Sequence, residues 1–304
     1  MFKPSVILYS YRRPQQTAEA IERLLDWDNL GKLYISIDGI RISAPSEEVV
    51  WRQETIRIAE RAAEMNSRVI PIIWEQNNGL TAHGIRIMTK VFQVDNAVFS
   101  LEEDNLIRND GLEFLRTSLG DAQKPAIATA FSTQLHNDCT RKFRETYFPE
   151  QWATSLTHHL FEEFLKTWND KRIERRVISS HFRRIYPLDI IKREIVTERW
   201  YRIFSLAVND LSYGDAVMNY AALKLGIPYR APLQSFVQDL GSLNNRGLHP
   251  RAGGINFNEH KFKSISSESS DFCKTCENNT NQVPGRGLST VARYVSKKYL
   301  LLGA

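Results

Sequence analysis

Short apolar runs of strand type alternate with segments of helical spacing from residue 5 to residue 131, and few folds accept that alternation. "SVILYS" (5–10) suits a buried strand, and Pro14 after it suits the first turn of a helix. "TAEAIERLLDW" then places Ala20, Ile21, Leu24 and Leu25 at helical spacing. The pattern recurs as strand "LYISID" (33–38), helix "EEVVWRQETIRIAERAAEM" (47–65), strand "VIPIIW" (69–74) and helix "GLTAHGIRIMTKVFQ" (79–93). "NAVFSL" (96–101) and "AIATAF" (126–131) follow as a fourth and a fifth strand. Such an order predicts an α/β fold with a mainly parallel sheet covered on both faces.

Ligands of such sheets sit beyond the carboxyl ends of the strands. Two strands end there in acids: "LYISID" in Asp38, and "NAVFSL" in Glu102, Glu103 and Asp104, followed by Asn105. Crowded carboxylates repel one another unless a positive group neutralises them. Mn2+ or Mg2+ takes oxygen ligands, often one or two carboxylates plus substrate phosphates, and can clamp a diphosphate leaving group. A solvated strand-to-loop turn is the plainer reading of the same residues, and composition leaves both open.

The totals narrow the class. Of 304 residues, 42% are hydrophobic and 11% aromatic, which excludes general disorder and allows one large domain or two ordinary ones. A net charge of +5 fits an anionic small ligand, an acidic membrane surface or nucleic acid and selects none of them. Nucleic acid is not expected as a partner. Three cysteines, Cys139, Cys273 and Cys276, make no disulfide framework in a chain of this length, so a reducing compartment is expected. "MFKPSVILYSYRRPQQ" carries no signal-peptide core, and nowhere is there a run of about 18 apolar residues. The expectation is a soluble cytoplasmic protein, with peripheral contact to the inner face of a membrane left open.

The stretch "NNGLTAHGIRIMTKVFQVDNAVFSLEEDNLI" (77–107) resembles the GT-A glycosyltransferases, in particular the N-acetylglucosaminyltransferase I-like and bacterial family-2-like enzymes. The likeness rests on Asn77, Gly79 and Leu80, then Leu101, Glu102, Glu103 and Asp104, with Glu103 standing where the family has Asp. "VILYSYRRPQQTAEAIERLL" is similar to the family's first strand, turn and helix, with Ser10, Tyr11, Arg12, Arg13 and Pro14 at the turn. "YGDAVMNYAALKLGIPYRAPLQSFVQDLG" is similar to its late helix, and Asp215 stands at that helix's start.

The resemblance spans roughly residues 4–250. It implies a three-layer α/β/α sandwich, Rossmann-like, and transfer of a sugar from a nucleotide donor, expected to be UDP-linked, to a saccharide or lipid-linked acceptor. It implies that Asp104 binds the metal, that Glu102 and Glu103 support it, and that Asp38 meets the nucleoside. It further implies that Ser10, Tyr11, Arg13, Asn77 and Gly79 line the donor site, and that Asp215 is the base of an inverting reaction. The catalytic domain would run over 1–255, with a nucleotide-sugar half (1–135) and an acceptor half (136–255). A polar extension with a basic amphipathic end would occupy 256–304.

Alternatives accompany several residues. Asp215 follows Gly214 at a helix start, where capping alone would explain it. Arg12 and Arg13 attract a diphosphate or are solvated surface arginines, and Tyr11 stacks on a base or simply packs. His83 and Arg86 are expected on an exposed helix face. His249, in "NNRGLHPR", is a second metal-ligand candidate on a loop that could close over the nucleotide. "CKTC" (273–276) has zinc spacing without a second pair. Two other functions remain: a nucleotidyltransferase, although "YSYRRPQQ" lacks the phosphate-loop glycine, and a non-catalytic nucleotide-sugar-binding relic.

Overall fold

A computed structural model describes residues 2–239, apart from 121, 132–142, 148, 150, 152, 210–213 and 234. The chain begins with β1 (Ser5–Ser10), α1 (Pro14–Leu25), β2 (Leu33–Ile37), α2 (Ser46–Met65), β3 (Val69–Ile73), α3 (Leu80–Val91) and β4 (Ala97–Glu102). Next come β5 (Asn105–Ile107), α4 (Asn109–Leu119), β6 (Ile127–Thr129), β7 (Phe143–Thr146) and β8 (Thr154–Thr157). It continues through α5 (His158–Asp170), α6 (Arg175–Ile185), α7 (Ile190–Ala207), α8 (Gly214–Leu225), β9 (Tyr229–Pro232) and β10 (Val237–Asp239).

Eight strands form one sheet in the order β3-β2-β1-β4-β8-β6-β9-β7. The first four run parallel, whereas β8 is antiparallel to both β4 and β6. The sheet is therefore mixed. Strand β8 reads "TSLT", yet all four residues are buried. Its hydroxyls find partners inside: Thr157 Oγ1 accepts from Ala126 N at 3.0 Å, and Ser155 Oγ donates to the Leu115 carbonyl.

Alternation along β1 fixes the layers. Val6 and Leu8 join one core with Ile21 and Leu24 of α1, Ile56 of α2 and Leu112 and Leu115 of α4. Ile7 and Tyr9 point the other way, into a core with Ile87 of α3, Phe161 of α5 and Val217 of α8. The expected three-layer α/β/α sandwich is thus present. A third core joins Phe182 of α6, Trp200 and Phe204 of α7 and Tyr220 of α8.

Strand order reverses between β1 and β4: β2 and β3 lie on one side of β1, and the later strands lie beyond β4. This is a topological switch point, where neighbouring loops leave the sheet in opposite directions and open a crevice at the carboxyl edge. A short antiparallel pair, β5 with β10, flanks it.

His83 departs from the expected exposed face. It is buried, its Nε2 lies 2.6 Å from Ser36 Oγ, and its ring meets Tyr9 and Trp74 edge-on. Burial pulls its pKa down to about 4, so the imidazole is neutral. Helix α3 turns this position toward the sheet, and the Ser36 hydroxyl satisfies the ring. Arg86 is exposed, as expected, and its guanidinium stacks over Trp74 at 4.3 Å.

Candidate active site

The acids of the β4 terminus occupy a tight connection. Glu102 closes the strand, Glu103 and Asp104 form the turn, and Asn105 opens β5. The Asn105 side chain accepts from Glu102 N at 3.1 Å and pins the turn. Glu103, Asp104 and Asn105 are all buried, so this is not a solvated loop.

The β1–α1 turn wraps this cluster. Tyr11 N donates to Glu103 Oε2 at 2.7 Å, and the Ser10 hydroxyl bonds the same carboxyl. Arg13 forms an ion pair with Asp104, and its Nε is 3.8 Å from Glu103 Oε1. Burial opposes the Arg13 charge, but Asp104 and Glu103 outweigh it and raise its pKa. Arg12 is also engaged, with the buried Glu48 at the start of α2, as is the Tyr11 hydroxyl. Arg41 completes that second cluster, its Nη2 2.7 Å from Glu48 Oε2. Neither turn arginine is a solvated surface residue.

Asp38 directly follows β2 and is buried. Its carboxylate accepts from Gly39 N at 2.9 Å, Asn77 Nδ2 at 3.1 Å, and Asn78 N, Asn78 Nδ2 and Gly79 N at 3.0 Å each. Asp38 therefore anchors the β3–α3 loop, and Asn77 and Gly79 meet it there. Gly39 permits the approach, since a Cβ on it would lie 2.0 Å from the Gln76 carbonyl carbon. Gly79 adopts φ +72°, a conformation that favours glycine.

Asp215 lies in the first turn of α8. It has solvent-exposed surface, yet surrounding protein desolvates it and pushes its pKa up to about 6. Glu102 is pushed up to about 8, by burial first and then by the charges of Asp104, Asp215 and Glu103. Burial also raises Glu103 to about 8, with Arg13 pulling it back. The acids of the β4 end and Asp215 thus share one electrostatic environment, with Arg13 paired into it.

Sequence reading overlooked several neighbours. Gln151 Nε2 donates to the Asp215 carbonyl and to Asn219 Oδ1, both at 2.8 Å, and the buried Tyr229 phenol stands beside them. Glu48 could have been found as an acid in the first turn of a helix, whereas nothing marked Gln151. Among the described residues, no group of three or more His, Cys, Asp or Glu side chains is arranged as a metal cage. His249, Trp152, Cys139, Cys273 and Cys276 lie outside the described residues, as does the 256–304 extension. Among the described residues, no helix is long and apolar enough to cross a membrane.

No protein family matches the chain, and no curated protein matches it. Among solved structures, it is similar to the mannosyltransferase PcManGT from Pyrobaculum calidifontis in complex with GDP-Man and Mn2+. The TM-score is 0.40 and the identity 10%, over 73% of this chain and 69% of that one.

Proposed function

We propose that this protein is a glycosyltransferase that uses a nucleotide-sugar donor. The observation that carries the reading is the meeting of the β4 acids with Asp215 at the switch point of the sheet. Asp38 and its asparagine-rich loop form the wall beside β2, where the nucleoside would lie. Because the Asp38 oxygens are already engaged, its part is to hold Asn77, Asn78 and Gly79 in place.

Burial, more than the neighbouring charges, raises Glu102 and Glu103, and a bound cation would favour their ionised forms. Asp104, with Glu102 beside it, fits a hard divalent cation whose remaining ligands come from donor phosphates. When bound, Mn2+ or Mg2+ would neutralise the departing diphosphate. Asp215 accepts the acceptor's hydroxyl proton while that oxygen bonds to the anomeric carbon and the bond to the diphosphate breaks, inverting the centre. A carboxyl near pKa 6 is ionised at neutral pH and more basic than an ordinary aspartate, which suits a general base. The acceptor is taken to be a saccharide or lipid-linked hydroxyl, and the donor UDP-linked.

The Arg13–Asp104 ion pair favours a second reading on one point. Arg13 itself could supply the countercharge to the diphosphate, with no cation required. A thermal-shift screen of UDP- and GDP-sugars with and without Mn2+ tests both, because a ligand that binds the folded state raises the melting temperature. Stabilisation by a nucleotide sugar supports the reading, and a requirement for Mn2+ selects its metal form. No stabilisation by any donor overturns it. Donor hydrolysis then separates an enzyme from a binding relic.

A further inference from the structure

Helices α6 and α7 meet in a corner that exposes an aliphatic cluster. Leu188 in the link is 94% exposed, and Ile190, Ile191 and Ile195 in the first turns of α7 are 61%, 76% and 64% exposed. Packing does not require these side chains. Helix α7 is seated by its opposite face, through Thr197, Trp200, Ile203 and Phe204. Contiguous exposed apolar surface of this kind marks an interaction site.

The charged residues around the cluster are mostly basic. Arg183 and Arg184 end α6, exposed and without a salt bridge among the described residues. Lys192 lies over the Tyr186 ring at 4.6 Å, next to Ile191. The nearby acids are engaged: Asp189 accepts from Lys192 N at 2.9 Å, and Glu194 pairs with Arg175 at 3.1 Å and with Arg193 at 3.8 Å. Arg184 also lines an adjoining groove of about 590 Å3 with His181, Ser180 and Lys224. Further along α7 the outer face becomes an ordinary ion-pair lattice, Arg175 and Arg202 with Glu198. The exposed apolar side chains thus concentrate at the corner, where Arg183, Arg184, Lys192 and Arg193 outnumber Asp189 and Glu194.

We propose that the α6–α7 corner docks on an anionic lipid bilayer, with Leu188, Ile190, Ile191 and Ile195 entering the interface and Arg183, Arg184 and Lys192 meeting lipid phosphates. Aliphatic side chains ringed by Lys and Arg are the chemistry of interfacial binding. A symmetric contact with a second copy would bring the basic rim against itself. The chain's own end, "ARYVSKKYLLL", is basic too and is a poor cover for a basic rim.

The test is co-sedimentation of the full chain with phosphatidylcholine vesicles, with and without phosphatidylglycerol. The wild type should bind the anionic vesicles and not the neutral ones, and release as salt screens the charges. Leu188→Glu/Ile191→Glu should cut binding at least about tenfold, since two aliphatic side chains no longer leave water. Its melting temperature and its thermal shift with nucleotide sugars should stay as in the wild type. Those donor shifts keep failure here distinct from failure of the enzymatic reading. The proposal is overturned if the wild type ignores anionic vesicles, or if the variant binds them undiminished. A variant that melts lower without lipid would mean that the chain covers its own corner. A lower oligomeric state in the variant would assign the patch to a second copy. Either result also overturns the proposal.

Discussion

Glu102 and Asp215 interact electrostatically, although one closes the fourth strand and the other lies in the first turn of a late helix. The two carboxyls face one crevice from opposite halves of the chain. A general base and a leaving-group site need that arrangement, because the acceptor and the departing diphosphate lie on opposite sides of the transferred sugar in an inverting reaction.

The base assignment gives the first expectation. Asp215→Asn preserves size and hydrogen bonding but removes the proton acceptor. Gln151 holds the backbone carbonyl of residue 215, so the helix start should survive. Sugar transfer should fall roughly 10²–10⁴-fold while donor affinity and melting temperature stay unchanged. Transfer at the wild-type rate would make Asp215 structural.

A second expectation concerns pH. Glu102 and Glu103 ionise near 8 in the folded state and near 4.5 when unfolded. The folded protein holds more protons between those values, so stability falls as pH rises through that window. His83 and His181, both pulled down to about 4, act in the opposite sense below 6.5. Between about 6.5 and 8 the acid cluster should therefore dominate. Melting temperatures read at pH 6.5 and 8.5 should fall for the wild type, and fall less for Glu103→Gln or with Mn2+ present. A flat or rising wild-type profile would contradict the cluster's unpaid charge.

Arg13 gives the third. Breaking a buried ion pair typically costs about 3–5 kcal/mol. Arg13→Gln should lower the melting temperature and leave Asp104 without its cation. If the metal and Arg13 share Asp104, Mn2+ should bind the variant more tightly than the wild type and recover part of the loss. Calorimetric titration with Mn2+ decides this: weaker binding to the variant would mean that Arg13 orders the site for the cation instead of competing with it.

The fourth tests the wall of the nucleoside pocket. In Gly39→Ala the added methyl meets the Gln76 backbone, which has no flexible end to yield. Overpacking of this kind typically costs about 1–3 kcal/mol. Because Asp38 and its loop partners adjoin the clash, donor affinity should drop along with stability. Stability lost with donor affinity intact would move the nucleoside away from this wall.

Much of this site could be read from the chain because its signals are local. An apolar run ending in acids located Glu102, Glu103 and Asp104, and strand alternation located Asp38. What escaped depends on partners distant in sequence. "TSLT" looks like a polar loop until its hydroxyls meet α4 and the Ala126 backbone. His83 looks like a surface residue until Ser36 appears beneath it. Helix α7 was hidden by its own exposed isoleucines, which place apolar residues on both faces and blur the helical period. Asp215 could be found from its place before a helix, but its nearness to Glu102 could not.

Strand β10 has a consequence for any truncation. Asp239 pairs in register with Asn105, one residue beyond Asp104, so the backbone leaves β10 at the rim of the acidic crevice. A chain cut after Asp239 would therefore end at that rim. A shortened chain could keep its sheet, its melting temperature and every side chain described above, and still change how long a donor dwells.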